Sequence, residues 1–174
     1  MTTTEHIDQA TFREVLGHFP TSVVAVTSVD AARRPVGMAV GSFTSVSLTP
    51  PLVAFFPDRG SSTFPHIRDS AKFCVNLLGD SQHDVCGALS VKGGDKFAQL
   101  GWRPAPSGAP IIDGALAWID CSIHSVSPAG DHYLVLGEVT SLAVVGAEHS
   151  PLIFFKGAYE RLRGVRPTRA VRSG

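Results

Sequence analysis

Hydrophobic and polar residues alternate over short stretches of this chain, and turn-forming residues cut the stretches apart. Residues 22–29 are rich in β-branched side chains and stop at Asp30, Arg33-Arg34-Pro35 turns the chain, and residues 36–40 follow, which predicts a hairpin. The hairpin leads into a stretch in which Ser42, Thr44, Ser45 and Ser47 sit between apolar residues. Side chains alternate faces along a strand, so Ser45 and Ser47 are expected on one face and Thr44 on the other. Pro50-Pro51 ends this strand because neither residue can donate a ladder hydrogen bond, and residues 52–56 make the next one. Residues 72–78 alternate between Ser70 and Gly79. Residues 115–126 and 132–145 are long apolar-rich segments joined by Ser127-Pro128-Ala129-Gly130-Asp131, which suits a hairpin turn. Residues 152–155 are the last predicted strand. Helical signals are shorter. Thr11 and Glu14 have capping-box spacing, and Phe12, Val15, Leu16 and Phe19 recur at helical intervals before Pro20. A second short helix ends near Asp69, and a turn or two falls within residues 81–89. Residues 90–95 read as a mobile loop and residues 102–110 as a surface loop bounded by strands. Strands predominate and helices do not alternate with them, so the expected fold is mainly β with short helices, an antiparallel closed or split β-barrel rather than a doubly wound sheet.

Composition narrows what such a barrel can do. The 174 residues suit a single domain, with a core from about 12 to 159 and a frayed end from 160 to 174 that holds arginines and, from Arg161 onward, no acid. The formal net charge is zero and 17% of residues are charged, so there is no basic field for nucleic acid. No apolar run approaches the roughly 18 residues of a bilayer span, and Met1-Thr2-Thr3-Thr4-Glu5-His6 is not a cationic segment followed by an apolar one. A cytoplasmic protein without membrane contact is expected. Cys74, Cys86 and Cys121 are odd in number and lie in apolar surroundings, which suits buried thiols. Cys121 and His124 have Cys-x-x-His spacing, but nothing completes a zinc site, and no metal is expected. Neither a Rossmann glycine fingerprint nor a P-loop occurs.

Three places carry candidate chemistry. Thr44, Ser45 and Ser47 offer hydroxyls to the polar edge of a ligand, or bond locally within the strand; the pattern leaves both open. Asp58-Arg59-Gly60-Ser61-Ser62-Thr63 precedes a helix and suits a phosphate, with Arg59 adding a forked charge, although Arg59 could equally pair with Asp58 and solvent. Gly130-Asp131-His132 forms a tight turn in which Asp131 fixes the backbone and His132 is either an exposed turn residue or a ligand contact. Lys96, beside Gly93-Gly94, either screens a phosphate, covers the site or is simply exposed. Trp102 and Trp118 read as packing residues, and His66 as facing solvent.

Taken in order, Gly37-Met38 through Ser42-Phe43-Thr44-Ser45-Val46-Ser47-Leu48 and Pro50-Pro51, then Ser61-Ser62-Thr63, then Gly130-Asp131-His132, resemble the flavin reductase family of FMN-binding split barrels. Phe12, Arg13, Gly17 and Phe19 at one end, and Phe154, Phe155, Gly157 and Tyr159 at the other, extend the resemblance over most of the chain. It implies a homodimer that reduces FMN or FAD with NADH or NADPH and supplies reduced flavin, by diffusion, to a separate monooxygenase. By the same resemblance, Gly37, Met38, Ala39, Val40, Gly41, Ser42, Phe43, Thr44, Ser45 and Ser47 would line the flavin ring and ribityl chain. Ser61, Ser62 and Arg59 would reach the phosphate, Gly130, Asp131 and the catalytic candidate His132 would touch the nicotinamide nucleotide, and Phe155 and Tyr159 would lie near the same pocket. Hydride transfer from nicotinamide to flavin needs no protein nucleophile, and no triad is expected. A flavin-binding module without turnover, and an oxidoreductase that keeps FMN bound and acts on an organic substrate, are the alternatives.

Overall fold

The computed structural model describes residues 7–146 and 149–162. The chain opens with helix α1 (Gln9–Gly17) and continues through strands β1 (Thr21–Ser22), β2 (Val24–Val29), β3 (Pro35–Val40), β4 (Phe43–Leu48) and β5 (Pro51–Phe55). Helix α2 (Phe64–Ser70), strand β6 (Lys72–Leu77) and helix α3 (His83–Ser90) follow. The rest is β: β7 (Trp102–Pro104), β8 (Pro110–Ile112), β9 (Ala117–Ala129), β10 (His132–Val144), β11 (Leu152–Phe155) and β12 (Ala158–Arg161).

Seven strands form one antiparallel sheet in the order β3-β2-β6-β9-β10-β5-β4. Its two edge strands, β3 and β4, are consecutive in the chain yet form no ladder with each other, so the curled sheet has a seam where a closed barrel would have a pair. That is the split-barrel arrangement expected from the order of elements. Inside the curl, Phe55, Phe64, Phe73, Val24, Val26, Val75 and Val135 are buried together, with the Phe55 and Phe73 rings edge-on at 5.2 Å. Gly137 is required here, because a Cβ at that position would run into the Phe73 ring. A second cluster (Val23, Leu78, Cys86, Leu89, Phe97, Leu152) packs α3 against the outer face of β2 and β3.

Several local expectations are corrected. The N-cap of α1 is Asp8, whose carboxylate accepts from the Ala10 and Thr11 amides, so Thr11 is inside the helix and not its cap. The stretch at 102–110 is the tip of a hairpin, β7–β8, with Ala105 and Ala109 buried. The long hairpin turns on Gly130-Asp131 alone, since His132 already pairs with Ala129, and Gly130 takes a φ of 65°. β11 is not the last strand: Lys156 (φ 50°) and Gly157 (φ 80°) turn the chain into β12, which carries its ladder to Arg161, past the expected core boundary. The arginines beyond Leu162 lie outside the described residues.

The three cysteines are free and buried, as expected. Burial raises the Cys74 thiol far above its ordinary range and pushes Cys121 up to about 12, with the neighbouring Asp120 carboxylate adding to both. Among the described residues no helix is long and apolar enough to cross a membrane, and no group of His, Cys, Asp and Glu side chains could hold a metal ion.

Candidate functional site

Strand β3 forms a ladder with β2 alone, and its other edge is paired with no strand. Its side chains are committed to packing. Val36, Met38 and Val40 face the inner core, and Ala39 packs with the α3 cluster. A Cβ at Gly37 would meet Leu89 at 3.1 Å and Phe97 at 3.2 Å, and one at Gly41 would meet Thr21 Oγ1 at 2.8 Å. The small residues of β3 therefore serve close packing, and what this strand offers a ligand is its backbone edge.

The hydroxyls that follow divide into two groups. Ser42 Oγ donates to the Phe56 carbonyl at 3.2 Å and accepts from its amide, and Thr44 Oγ1 donates to the Ser45 carbonyl at 3.2 Å. Ser61 Oγ accepts from the Thr63 and Phe64 amides at 3.2 Å each and so caps the start of α2. The side-chain hydroxyls of Ser45, Ser47 and Ser62 have no protein partner among the described residues and remain available. A β-bulge separates Ser45 from Ser47: Ser45 pairs with Val53 and Ser47 with Leu52, adjacent residues on opposite faces of β5. The expected shared face for Ser45 and Ser47 is therefore corrected.

Beside β3 lies a cavity of about 680 Å³, walled by Gly37 and the residues leading to it, by Ser62, Thr63 and His66 at the start of α2, and by the loop 93–97 with Trp102. Lys96 ties these walls together. Its ammonium donates to the Gly37 carbonyl at 3.3 Å, Thr63 Oγ1 at 3.1 Å and the Leu89 carbonyl at 3.0 Å, and partial burial lowers its pKa from the ordinary lysine value. His66 is exposed as expected, but both it and Trp102 line this cavity, as does Lys96. In the sequence, the double glycine before Lys96 and the Ser61-Ser62-Thr63 stretch pointed here. Trp118 is a packing residue, buried with Ile111 and Ala109.

The other expected site residues form two further groups. At the tip of the long hairpin, Arg59 N donates to the Asp131 carbonyl at 2.9 Å, Arg59 Nη1 donates to the Gly130 carbonyl at 3.3 Å, and the guanidinium lies 5.6 Å from the Tyr133 ring centre. Asp58 bridges to His132, so Arg59 and Gly130-Asp131-His132 are brought together, apart from the cavity lining. His132 Nδ1 lies 2.7 Å from Asp131 Oδ1, and the hydrogen bond to His132 holds the Asp131 carboxyl below its usual range. Phe155 and Tyr159 are on the β11–β12 hairpin. Tyr159 Oη is 2.9 Å from Cys86 Sγ, with its ring edge-on to His83, while Phe155 lines a smaller apolar groove with Pro20 and Leu162. Neither lines the Lys96 cavity.

The sequence and the fold both have close counterparts. A flavin reductase from Pseudomonas putida is 54% identical over 153 residues, 88% of this chain and 89% of that one. The reductase subunit HsaB of a flavin-dependent monooxygenase from Mycobacterium tuberculosis is 45% identical over 165 residues, 94% of this chain and 88% of that one. Among solved structures, the nitrilotriacetate monooxygenase component B homologue from Mycobacterium thermoresistibile superposes with a TM-score of 0.88 at 43% identity, covering 93% of this chain and 92% of that one. The NADH:FAD oxidoreductase SgcE6 from Streptomyces globisporus, in complex with NAD and FAD fragments, does so with a TM-score of 0.84 at 33% identity over 92% of this chain and 98% of that one. The family described as flavin reductase like domain matches residues 16–163, from the end of α1 past β12, and so takes in the seam, the cavity and the hairpin tip: this chain belongs to that family.

Proposed function

We propose that this protein is an NAD(P)H:flavin oxidoreductase that reduces FMN or FAD and supplies the reduced flavin to a separate monooxygenase. The observation that carries the reading is the open backbone edge of β3 running into a cavity that holds Lys96 and the unpaired Ser62 hydroxyl. Such an arrangement fits a flavin, whose pyrimidine edge needs backbone donors and whose phosphate needs a cation and a hydroxyl. A bound flavin supplies the ring that accepts a hydride from the nicotinamide. The chain's own part is orientation and charge. The N–H groups around residues 42–45 would face the pyrimidine edge, Ser45 and Ser47 would add hydroxyls from the two faces of β4, and Ser62 would hold the phosphate while Lys96, bonded into the wall, supplies positive charge beside it. His132, the first residue of β10 beside the turn that Asp131 and Arg59 hold, is the candidate contact for the nicotinamide nucleotide. The apolar stripe of α1 supports a homodimer, and a single cytoplasmic domain is part of the same proposal.

Initial rates of NADH and NADPH oxidation with and without FMN, FAD or riboflavin, under air, test this. Saturable, flavin-dependent turnover by a protein that purifies colourless is the expected result. A yellow protein with no such turnover would instead be a flavin-binding module, or an oxidoreductase that keeps FMN and acts on an organic substrate. For His132→Ala the expected change is a raised KM for NADH at unaltered flavin affinity; unchanged NADH kinetics would remove His132 from the site.

A further inference from the structure

Between the end of α3 at Ser90 and the return of the chain to the core at Phe97, a loop has fixed ends and a loose span. Leu89 and Phe97 are buried in one cluster, and both lie against Gly37, so the two ends are held side by side on β3. Residues 91–95 are exposed, and Lys92, Gly93 and Gly94 make no hydrogen bond among the described residues. Gly93 and Gly94 take left-handed φ values of 77° and 74°, and a Cβ at either would meet nothing within 4 Å. Neither glycine is therefore there for close packing, and what the pair gives the span is backbone freedom. Gly93, Gly94 and Asp95 nevertheless form part of the cavity wall.

We propose that Lys96 is a positioning residue, a latch that holds the loop 91–95 against β3 and α2, and that flavin enters and leaves the cavity when the latch lets go. The three donors of its ammonium reach three elements: the Gly37 carbonyl on β3 at 3.3 Å, Thr63 Oγ1 at the start of α2 at 3.1 Å, and the Leu89 carbonyl in the last turn of α3 at 3.0 Å. The bond to Leu89 has a local reason. Helix α3 has no basic residue in its last turn and ends on an extended Val91 rather than a left-handed cap, so its final carbonyls need a donor from elsewhere. This bond closes the base of the loop on itself. The bonds to Gly37 and Thr63 cross from the loop to other walls of the cavity, and the loop cannot swing away from those walls without breaking them. Because the loop has no hydrogen bond of its own at residues 92–94, one side chain decides how often it opens. A reductase that hands on reduced flavin by diffusion releases it in every cycle, and opening of such a loop limits the turnover of many enzymes.

The inference rests on the flavin-reductase reading for what passes the loop, but not for the motion of the loop. Amide exchange over residues 91–97 and trypsin cleavage after the exposed Lys92 read that motion in the full chain without any ligand. Lys96→Met should speed both about ten-fold or more, the effect of losing a charged hydrogen bond, and Lys96→Arg should restore part of the protection. Thr63→Val, which removes one acceptor of the latch, should act in the same direction by a smaller factor, and it decides the matter should Lys96→Met not fold. Dissociation rates of FMN and riboflavin, measured by stopped flow, then separate a latch from a charge. Loss of a latch speeds the release of both flavins by a common factor, whereas loss of a charge that only attracts phosphate speeds the release of FMN alone. The latch is overturned if exchange and cleavage are unchanged in the variants, or if the loop loosens while riboflavin leaves at the parent rate. A parent protein that binds no flavin would remove the flavin-reductase reading, and exchange and cleavage would still decide whether Lys96 holds the loop.

Discussion

Lys96 is the residue on which the cavity's charge depends. Its three donors are spent on Gly37, Thr63 and Leu89, and partial burial disfavours its charged form. A lysine with a lowered folded pKa holds fewer protons than the unfolded chain between that pKa and the ordinary 10.5. Its charge therefore costs stability below the folded pKa, and the cost fades as pH rises toward 10.5. Affinity for a phosphate-bearing flavin should follow the opposite course, falling at a pH below that at which a free lysine titrates. Lys96→Met should flatten this alkaline limb and reduce the preference for FMN over riboflavin about five-fold or more, since a neighbouring unit charge contributes about 1 kcal/mol even at the dielectric of water. Parallel pH profiles for parent and variant in flavin titrations would show that Lys96 only closes the wall. At this scale the sequence was partly legible. The hydroxyl-rich strand was evident from composition, but alternation put Ser45 and Ser47 on one face because a bulge at Val46 leaves no mark in residue type. Which hydroxyls are free was also hidden. Ser42 and Ser61 are occupied by backbone groups that only the folded chain brings near.

Among the elements, the β7–β8 hairpin shows how composition can mislead. Prolines and glycines between Trp102 and Pro110 read as a surface loop, yet residues far away in sequence hold the segment down. Asn76, fully buried on β6, donates to the Ala25 and Pro110 carbonyls and to Thr27 Oγ1, and accepts from the Ile112 amide at 2.8 Å. Asp120, fully buried on β9, accepts from both the amide and the hydroxyl of Ser107. Asn76→Leu would leave several of these groups buried without partners, at about 1–3 kcal/mol each, so a loss of about 2–5 kcal/mol in a urea titration is expected. A variant as stable as the parent would mean that β8 does not depend on this anchor. Helix α1 behaves differently, because its sequence signal was sound and its start was misplaced. The Asp8 carboxylate is held below its usual range, first by the Thr11 hydroxyl. A depressed carboxylate contributes above its unfolded value and loses that contribution as pH falls through the folded one. Amide exchange at Ala10 and Thr11 should therefore accelerate only in strong acid, and at neutral pH in Asp8→Ala. Unchanged protection in that variant would return the cap to Thr11.

For the whole molecule, the order of elements determined the split barrel, but not where the apolar stripe of α1 would go. Its spacing reads as a short helix, yet none of its residues is buried: Phe12 is 55% exposed, Val15 64% and Leu16 54%, and Phe19, just past its end, is 72% exposed. Leu142 and Val144 on β10 are likewise more than half exposed. A soluble monomer seldom keeps large apolar side chains together at its surface without a use for them. A second copy of the chain is the occupant consistent with the proposed homodimer, and four such side chains, each contributing about 1–2 kcal/mol on burial, suffice to hold one. Replacing Val15 and Leu16 by glutamate would place two charges in that contact. The expected outcome is a shift from dimer to monomer in sedimentation velocity at micromolar concentration, with the dissociation constant raised by about a hundred-fold or more. Because α1 contributes nothing to the buried core, the variant should keep the thermal unfolding of its β-sheet. A parent that sediments as a monomer would remove the dimer from the proposal, and a variant that remains dimeric would place the contact elsewhere, with Leu142 and Val144 the next surface to charge.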